Sequence, residues 1–303
     1  MSTYSIYLTT RCSMNCDYCF LSRKARTEEC ISTEAFRKAL HSIGSSIRPT
    51  ESIEFMGGEP TLDTDRLEYA VSFLEGAPIS ISTNGYYIST RLRGILHRHD
   101  NIRMSVSIDG PRWVNQYRRT WKGMGTHERV EGNILALIDE FGNHRISAHM
   151  TVTPATVAYI TESVKYLDML GLRHIGVGIV ESRERAFTMT RARMDRYIRE
   201  MKHVADLCHV GIVSARITEL DEPPPPQKHY VKATNDTPLM EIAGGIIPGN
   251  AVSYEPDTDI QRARLMLYSY RQTLKETGDK EKRDEYTDIP DNRGAEGLTS
   301  GER

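Results

Sequence analysis

The sequence predicts an α/β domain built on a parallel sheet, and three observations lead there. Short β-like runs alternate with longer helical patterns through the first two thirds of the chain, six times in the same order. At 303 residues the chain is long enough for one large domain of this kind plus an extension. Every cluster of residues suited to chemistry falls just after a predicted strand, and parallel sheets gather ligands at the C-terminal ends of their strands.

The strands are predicted at Ser5–Thr9, Ser52–Met56, Ile79–Thr83, Arg103–Ile108, Ser147–Val152 and His174–Val180. Amphipathic stretches lie between them at Thr33–Ser45, Asp63–Leu74, Ser89–Arg98, His127–Phe141 and Thr156–Leu170. Ser32, followed by Ala35 and Phe36, and Thr126, before His127, have the chemistry of helix N-caps. Gly142 and Gly171 stand where helices stop. Six successive β-α units imply right-handed crossovers in a parallel sheet. Six strands fall short of a closed eight-stranded barrel, and spacing leaves both a partial barrel and an open doubly wound sheet possible.

A sixth helix is predicted over Thr190–Leu207. Asp221-Glu222 and Pro223–Pro226 then read as an extended linker, Gly244–Tyr254 as a small hairpin and Ile260–Glu276 as a last helix. From Thr277 to Arg303 the chain is charged, Gly-containing and poor in apolar residues, the composition of a disordered tail. The predicted organisation is a core domain over 1–220, a C-terminal extension over 221–276 and a tail over 277–303.

Hydrophobic content of 39% and charged content of 26% are those of a soluble globular protein. A formal net charge of −2 supplies no global field toward nucleic acid or an anionic membrane, so neither is expected as a partner. The N-terminus lacks the basic start and apolar run of a signal peptide, and no segment approaches the roughly 20 apolar residues of a membrane span. The reading is cytoplasmic. Of five cysteines, three fall between Cys12 and Cys19, which suits a metal site in a reducing compartment better than a disulfide framework. Cys30 and Cys208 stand alone and read as free thiols with a packing role.

The cysteine cluster, Cys12-Ser13-Met14-Asn15-Cys16-Asp17-Tyr18-Cys19-Phe20, follows the first strand. Thiolates are the natural ligands of iron–sulfur clusters, and cubane clusters usually take four. Three from one loop leave one iron open to an outside ligand, the hallmark of a reacting site; a zinc site or a structural cluster completed by Cys30 is the alternative. After the second strand comes Met56-Gly57-Gly58-Glu59-Pro60, where two glycines allow close backbone approach and Glu59 offers a carboxylate to an ammonium group. Ser82-Thr83-Asn84-Gly85 and Ser105-Val106-Ser107-Ile108-Asp109-Gly110-Pro111 follow the third and fourth strands. Their hydroxyls, amide and carboxylate suit a ribose and an amino-acid carboxylate, and they serve equally as turn chemistry.

The loop resembles the Cys-x-x-x-Cys-x-x-Cys signature of the radical S-adenosylmethionine (SAM) superfamily, and Gly57-Gly58-Glu59-Pro60 resembles that family's Gly-Gly-Glu-Pro motif. The resemblance implies a partial (β/α)6 barrel, one [4Fe–4S] cluster on Cys12, Cys16 and Cys19, and SAM chelating the open iron. Reductive cleavage of SAM would then give a 5′-deoxyadenosyl radical that abstracts a substrate hydrogen, with an electron donor such as flavodoxin or ferredoxin and sensitivity to oxygen. Tyr18 and Phe20 would pack near the adenine, Gly57, Gly58, Glu59 and Pro60 would hold the SAM amino group, and Asn84, Ser107 and Asp109 would line its site.

The Asn84, Ser107 and Asp109 blocks, with Asn115-Gln116-Tyr117-Arg118-Arg119 and Lys122–Thr126, are similar to the peptide-modifying subgroup that includes anaerobic sulfatase maturases. That likeness assigns Arg118 to the SAM carboxylate and implies a peptide or protein substrate. It spans about Tyr4 to Val180. The subgroup's cysteine-rich SPASM domain is matched only by a faint likeness over Ala243–Asp257; Cys208 alone cannot hold an auxiliary cluster. Chemistry that needs such a cluster is therefore disfavoured. The alternatives are the same radical chemistry on a small molecule, such as a sugar, nucleotide or antibiotic precursor, and a non-catalytic iron–sulfur module. On the substrate side, Glu181 and His149 are the candidates by position, and the arginine-rich run Arg183–Arg193 reads as a solvated helix face.

Overall fold

A computed structural model describes residues 3–19, 21, 30, 32–44, 52–181, 184–221 and 258–277. Phe20, Arg183, the Pro223–Pro226 linker, the Gly244–Tyr254 hairpin and the tail beyond Thr277 lie outside the described residues. Strands β1 (Thr3–Thr9), β2 (Ser52–Gly57), β3 (Ile79–Thr83), β4 (Ile102–Ser107), β5 (Ile146–Val152), β6 (His174–Ile179) and β7 (Arg216–Ile217) form one sheet. Every neighbouring pair is parallel and the spatial order is the chain order, β1 to β7. A doubly wound sheet would reverse its order part-way; this one never does, so right-handed crossovers stack all the helices on one face. The sheet stays open, with β1 and β7 as its edges. The fold is the partial barrel, with one strand more than predicted. The two-residue β7 was missed because Arg216-Ile217 is too short to show a pattern.

Helices α1 (Thr33–Gly44), α2 (Thr64–Phe73), α3 (Thr90–Arg98), α4 (His127–Phe141), α5 (Ile160–Met169) and α6 (Arg191–His209) cover the outer face. Alternation explains the two-sidedness. Ile53, Phe55, Ile79, Ile81, Met104, Val106, Ile175 and Val177 point outward into one core with Phe36, Leu67, Leu92, Ile134 and Leu167. The intervening Glu54, Ser80, Ser82, Arg103, Ser105, Ser147 and His149 line the inner face and are not fully buried.

Ser32 caps α1 as predicted, accepting from Ala35 N at 3.1 Å. Thr126 stands at the N-cap position of α4 but does not cap; its hydroxyl donates to Arg118 O at 2.9 Å, so it anchors the preceding segment instead. Gly142 and Gly171 end α4 and α5 with positive φ. The stretch predicted as one helix from Thr156 begins as a 3-10 turn over Val157–Tyr159 before α5. After β7, the short α7 (Thr218–Asp221) leads out of the sheet, and α8 (Thr258–Thr277) packs back onto α6 and α7. Ala263, Leu267 and Leu274 of α8 join the core. Among the described residues no helix is long and apolar enough to cross a membrane.

Candidate active site

The loop after β1 carries Cys12, Cys16 and Cys19, all half-buried. Two neighbours hold its backbone. On one side the end of β2 bonds to it, Gly58 N to Thr9 O at 2.7 Å and Glu59 N to Arg11 O at 2.8 Å. On the other the segment after β4 runs antiparallel to it, with Asn15 N donating to Arg119 O at 2.8 Å and Asp17 N to Tyr117 O at 3.0 Å. Trp121 Nε1 adds a bond to Cys12 O at 2.9 Å.

The close approach expected at Gly57 and Gly58 is made by this loop. A Cβ on Gly57 would clash with Thr9 O, and one on Gly58 with the carbonyls of Thr10 and Arg11. Gly57 also takes φ +145°, which a side chain disfavours. The glycine pair thus lets two strand ends meet so that the cysteine loop lies against the turn before Pro60.

Glu59 is fully buried, and its carboxylate is held by the protein. Oε1 accepts from Thr61 N at 3.1 Å, Thr61 Oγ1 at 2.6 Å and Thr83 Oγ1 at 2.8 Å; Oε2 accepts from Asn84 N at 2.7 Å. Burial raises the carboxyl pKa against the pull of these donors. Glu59 ties the end of β3 to the Pro60 turn, and its N-terminal capping of that turn accounts for Thr61. Asn84 in turn reaches the cysteine loop, its Nδ2 lying 3.2 Å from Ser13 Oγ and 3.6 Å from Cys12 Sγ.

A second buried cluster stands beside Cys16. Asp109 Oδ2 accepts from the Tyr18 hydroxyl at 2.6 Å, while Oδ1 accepts from Arg118 Nη2 and from Thr151 N, each at 2.8 Å. Arg118 lies over the Tyr18 ring, 5.4 Å from its centroid. Burial works against the guanidinium charge, yet the acidic groups around it, Asp109 foremost, together push its pKa up and keep it a cation. Burial also pushes the Cys16 thiol up to about 12 despite the nearby Arg118, and raises Tyr18 well above the ordinary phenol range. Cys12 and Cys19, on the same loop, also raise the Cys16 thiol.

Two donors in this cluster, Arg118 Nε and Asn115 Nδ2, are buried without any acceptor. Native proteins rarely leave such groups unpaired. A ligand carboxylate would supply what they lack. Among the described residues no three His, Cys, Asp or Glu side chains converge as the ligands of a single metal ion would. A cubane, which spreads its ligands over several irons and usually takes thiolates, is a group that three cysteines from one loop suit.

A family model described as the radical SAM superfamily matches residues 6–167. The chain belongs to the radical SAM superfamily. It is 24% identical over 188 residues to an uncharacterized protein of Methanocaldococcus jannaschii, covering 59% of this chain and 62% of the other. It is 34% identical over 118 residues to the Fe-coproporphyrin III synthase of Methanosarcina barkeri, covering 38% and 29%. It is 32% identical over 110 residues to GTP 3′,8-cyclase 2 of Mycobacterium tuberculosis, covering 34% and 30%. The chain thus spans less than two thirds of the length of these relatives. Among solved structures, anSMEcpe with bound AdoMet superposes with a TM-score of 0.63 at 16% identity, over 73% of this chain and 62% of that one. SuiB of Streptococcus suis, bound to its precursor peptide SuiA, gives 0.56 at 17% identity, over 71% and 48%. At these identities the likeness establishes the radical SAM fold.

The remaining expected residues fall as follows. Pro60 opens the 3-10 turn that Glu59 caps. Ser107 ends β4 on the inner face, in register with His149 of β5. His149 is exposed on that inner face, and Glu181 is exposed just past β6. Arg185, Arg191 and Arg193 are exposed. Sequence reasoning missed Asn115, Thr151 and Trp121. Asn115 sat within a quoted block, but its bond to Asp109 N at 2.9 Å depends on a turn that local pattern does not reveal.

Proposed function

We propose that the chain is a radical SAM enzyme that abstracts hydrogen from a peptide or protein side chain, with one [4Fe–4S] cluster on Cys12, Cys16 and Cys19. The observation that carries the reading is the pair of unpartnered buried donors, Arg118 Nε and Asn115 Nδ2, set beside a three-thiol loop. Together, cluster and SAM supply reductive cleavage of the sulfonium to a 5′-deoxyadenosyl radical. The protein's share is to bind, orient and exclude water. Arg118 and Asn115 meet the SAM carboxylate, and Gly57, Gly58, Glu59 and Pro60 form the wall facing its amino group. Asn84, Ser107 and Asp109, with Tyr18, bound the nucleoside. Glu59 and Asp109 act chiefly by holding this wall in place, since their oxygens already serve protein donors. An external one-electron donor such as flavodoxin or ferredoxin completes the reaction.

The peptide substrate is supported by the sequence blocks around Asp109 and Arg118 and by the peptide complexes of anSMEcpe and SuiB. A small-molecule substrate is the second reading. It is favoured by the Fe-coproporphyrin III synthase and GTP 3′,8-cyclase 2 among the relatives. For the core proposal, the protein is reconstituted anaerobically with iron and sulfide, then given SAM and dithionite, and 5′-deoxyadenosine is quantified. Wild type is expected to form it, and Cys16→Ala to lose both iron and product. A fully loaded wild type that binds no SAM by calorimetry would overturn the proposal.

A further inference from the structure

The turn over residues 120–124 stands against the cysteine loop, and the proposed SAM site does not use it. It is a built turn: Thr120 N donates to Met124 O at 3.0 Å, Gly123 N to Thr120 O at 2.9 Å and Met124 N to Thr120 Oγ1 at 3.2 Å. Thr120 also pairs with Met14 of the cysteine loop, and Arg119 with Gly125. The two large apolar side chains of the turn nevertheless face water, Trp121 being 52% and Met124 55% exposed. A Cβ added at Gly123 or Gly125 would meet no atom within 4 Å, so among the described residues the turn stands clear of its neighbours.

Bracing the loop does not account for that exposure. The bond to Cys12 O uses only the indole N–H, and the ring face and the Met124 chain stay in water at the cost of exposed apolar area. Trp and Met are not typical of a plain surface turn; aromatic residues, Met and Arg are the types enriched at the centre of contacts between proteins.

Charge around the patch has one predominant sign. In the two segments that frame it, residues 9–19 and 117–125, the charged side chains at least partly open to water are Arg11, Asp17, Arg119 and Lys122. Asp17, the one acid, lies 3.7 Å from Arg119. Arg11 and Lys122 therefore set the net charge of the rim. Arg118 is buried and spent on Asp109, and the next acid along the chain, Glu128, is paired with Arg112. The patch is also linked to the loop that would hold the cluster. One hydrogen bond leads from the Trp121 indole to Cys12 O, and the covalent bonds of Cys12 lead on to its sulfur.

We infer that Trp121 and Met124, rimmed by Arg11, Arg119 and Lys122, form the docking surface for the protein that delivers the cluster's electron, a flavin-bearing carrier with an acidic face. The inference rests on the radical SAM reading, which requires such a donor. The planar edge of a flavin suits an indole and a thioether, and an acidic face suits the cationic rim. Electron-transfer contacts are small and transient, so a patch of a few side chains is enough. In the step itself the reduced flavin loses one electron and the cluster gains it; no bond forms or breaks.

Anaerobically reconstituted holoprotein is tested with purified flavodoxin in two ways. Oxidised flavodoxin is titrated calorimetrically, which gives an affinity without any turnover. Photoreduced flavodoxin is then mixed in stopped flow, and bleaching of the cluster's visible absorbance gives the transfer rate. Dithionite, a small donor that needs no docking surface, is run in parallel. The variants are Lys122→Glu, Met124→Ser and, as a control on the outer helix layer, Arg199→Glu.

Wild type is expected to bind flavodoxin and take its electron, less well in about 1 M salt, where the screening length is about 3 Å. Lys122→Glu and Met124→Ser are each expected to weaken binding and slow transfer about tenfold. Arg199→Glu should change neither, and dithionite should reduce all four proteins at one rate. Wild-type behaviour in both patch variants overturns the surface. Equal slowing with dithionite also overturns it, since the turn would then act on the cluster itself. Transfer from ferredoxin alone, or from neither carrier, overturns the flavin donor. Iron content and SAM affinity are measured on the same samples, so failure of the radical SAM reading would register separately from failure of the docking surface.

Discussion

Asp109 is the residue on which the buried cluster turns, because three donors from three segments meet its two oxygens: Tyr18 from the cysteine loop, Arg118 from the segment after β4 and Thr151 from β5. Removing one member of a buried ion pair strands the other, at about 3–5 kcal/mol. Asp109→Ala is therefore expected to lower the urea midpoint by that equivalent. Adding Arg118→Met is expected to recover part of the loss, because the stranded charge goes with it; a double variant less stable than the single one would contradict this account. Cys208 presents the opposite situation, a thiol with no chemistry to do. Burial pushes it up to about 11, so in the folded protein it stays protonated at pH 8. A peptide map after alkylation at pH 8 should show Cys208 protected in buffer and modified in urea, where its pKa returns to about 8.5. Protection should fade as the pH of the folded sample rises toward 11.

At the scale of elements, the turn after β2 and the loop after β1 are one unit, because the carbonyls of Thr9, Thr10 and Arg11 occupy the space a side chain at Gly57 or Gly58 would need. Gly58→Ala is expected to force the two apart, costing about 1–3 kcal/mol as overpacking does. Iron retained after reconstitution should fall more than stability does, since the displaced atoms belong to the cysteine loop; unchanged iron content would show that the loop adapts. The reasons why parts of the site were legible beforehand also live at this scale. Cys12, Cys16, Cys19 and Gly57–Pro60 are contiguous runs whose chemistry survives being read locally. Thr126 was read as a cap from its place before α4, yet its hydroxyl serves Arg118 O, eight residues back, because the chain folds over the cysteine loop there. The role of Glu59 was half legible: its carboxylate was apparent, but not its four donors, two of which come from Thr83 and Asn84 on another strand. Asn115 and Thr151 became visible only when β4 and β5 were set side by side.

Over the whole molecule, the strand order was implied by six repeats of one unit, because sequential parallel pairing follows from short connections and right-handed crossovers. The choice of partial barrel over doubly wound sheet was not, since both share the same local elements and differ only in whether the order reverses. The last helix was legible from its periodicity, but not its partner. In the structure α8 seats Leu267 with no exposed surface, and its Tyr270 hydroxyl donates to Asp206 of α6 at 2.9 Å. Arg271 and Lys275 both reach Asp221 of α7, at 3.5 and 3.0 Å. Leu267→Ala is expected to cost about 2–5 kcal/mol, as truncation of a buried leucine does. Thermal unfolding with and without SAM checks it, and the increment in melting temperature from SAM should be the same in variant and wild type, because α8 covers the outer helices and not the inner face.

The double backing of the cysteine loop has a consequence for the order in which the protein is assembled and repaired. Small zinc domains fold only as the metal arrives, so their metal is part of the folding free energy. Here the loop between Thr9 and Cys19 is held from both sides by Gly58, Glu59, Tyr117, Arg119 and Trp121, all protein groups. Folding is therefore expected to come first and iron second. A cluster destroyed by oxygen would then leave an intact socket, and the same polypeptide would be refilled rather than replaced. Chelation followed by a second reconstitution, with far-ultraviolet circular dichroism recorded at each stage, should show a spectrum that barely changes while iron leaves and returns.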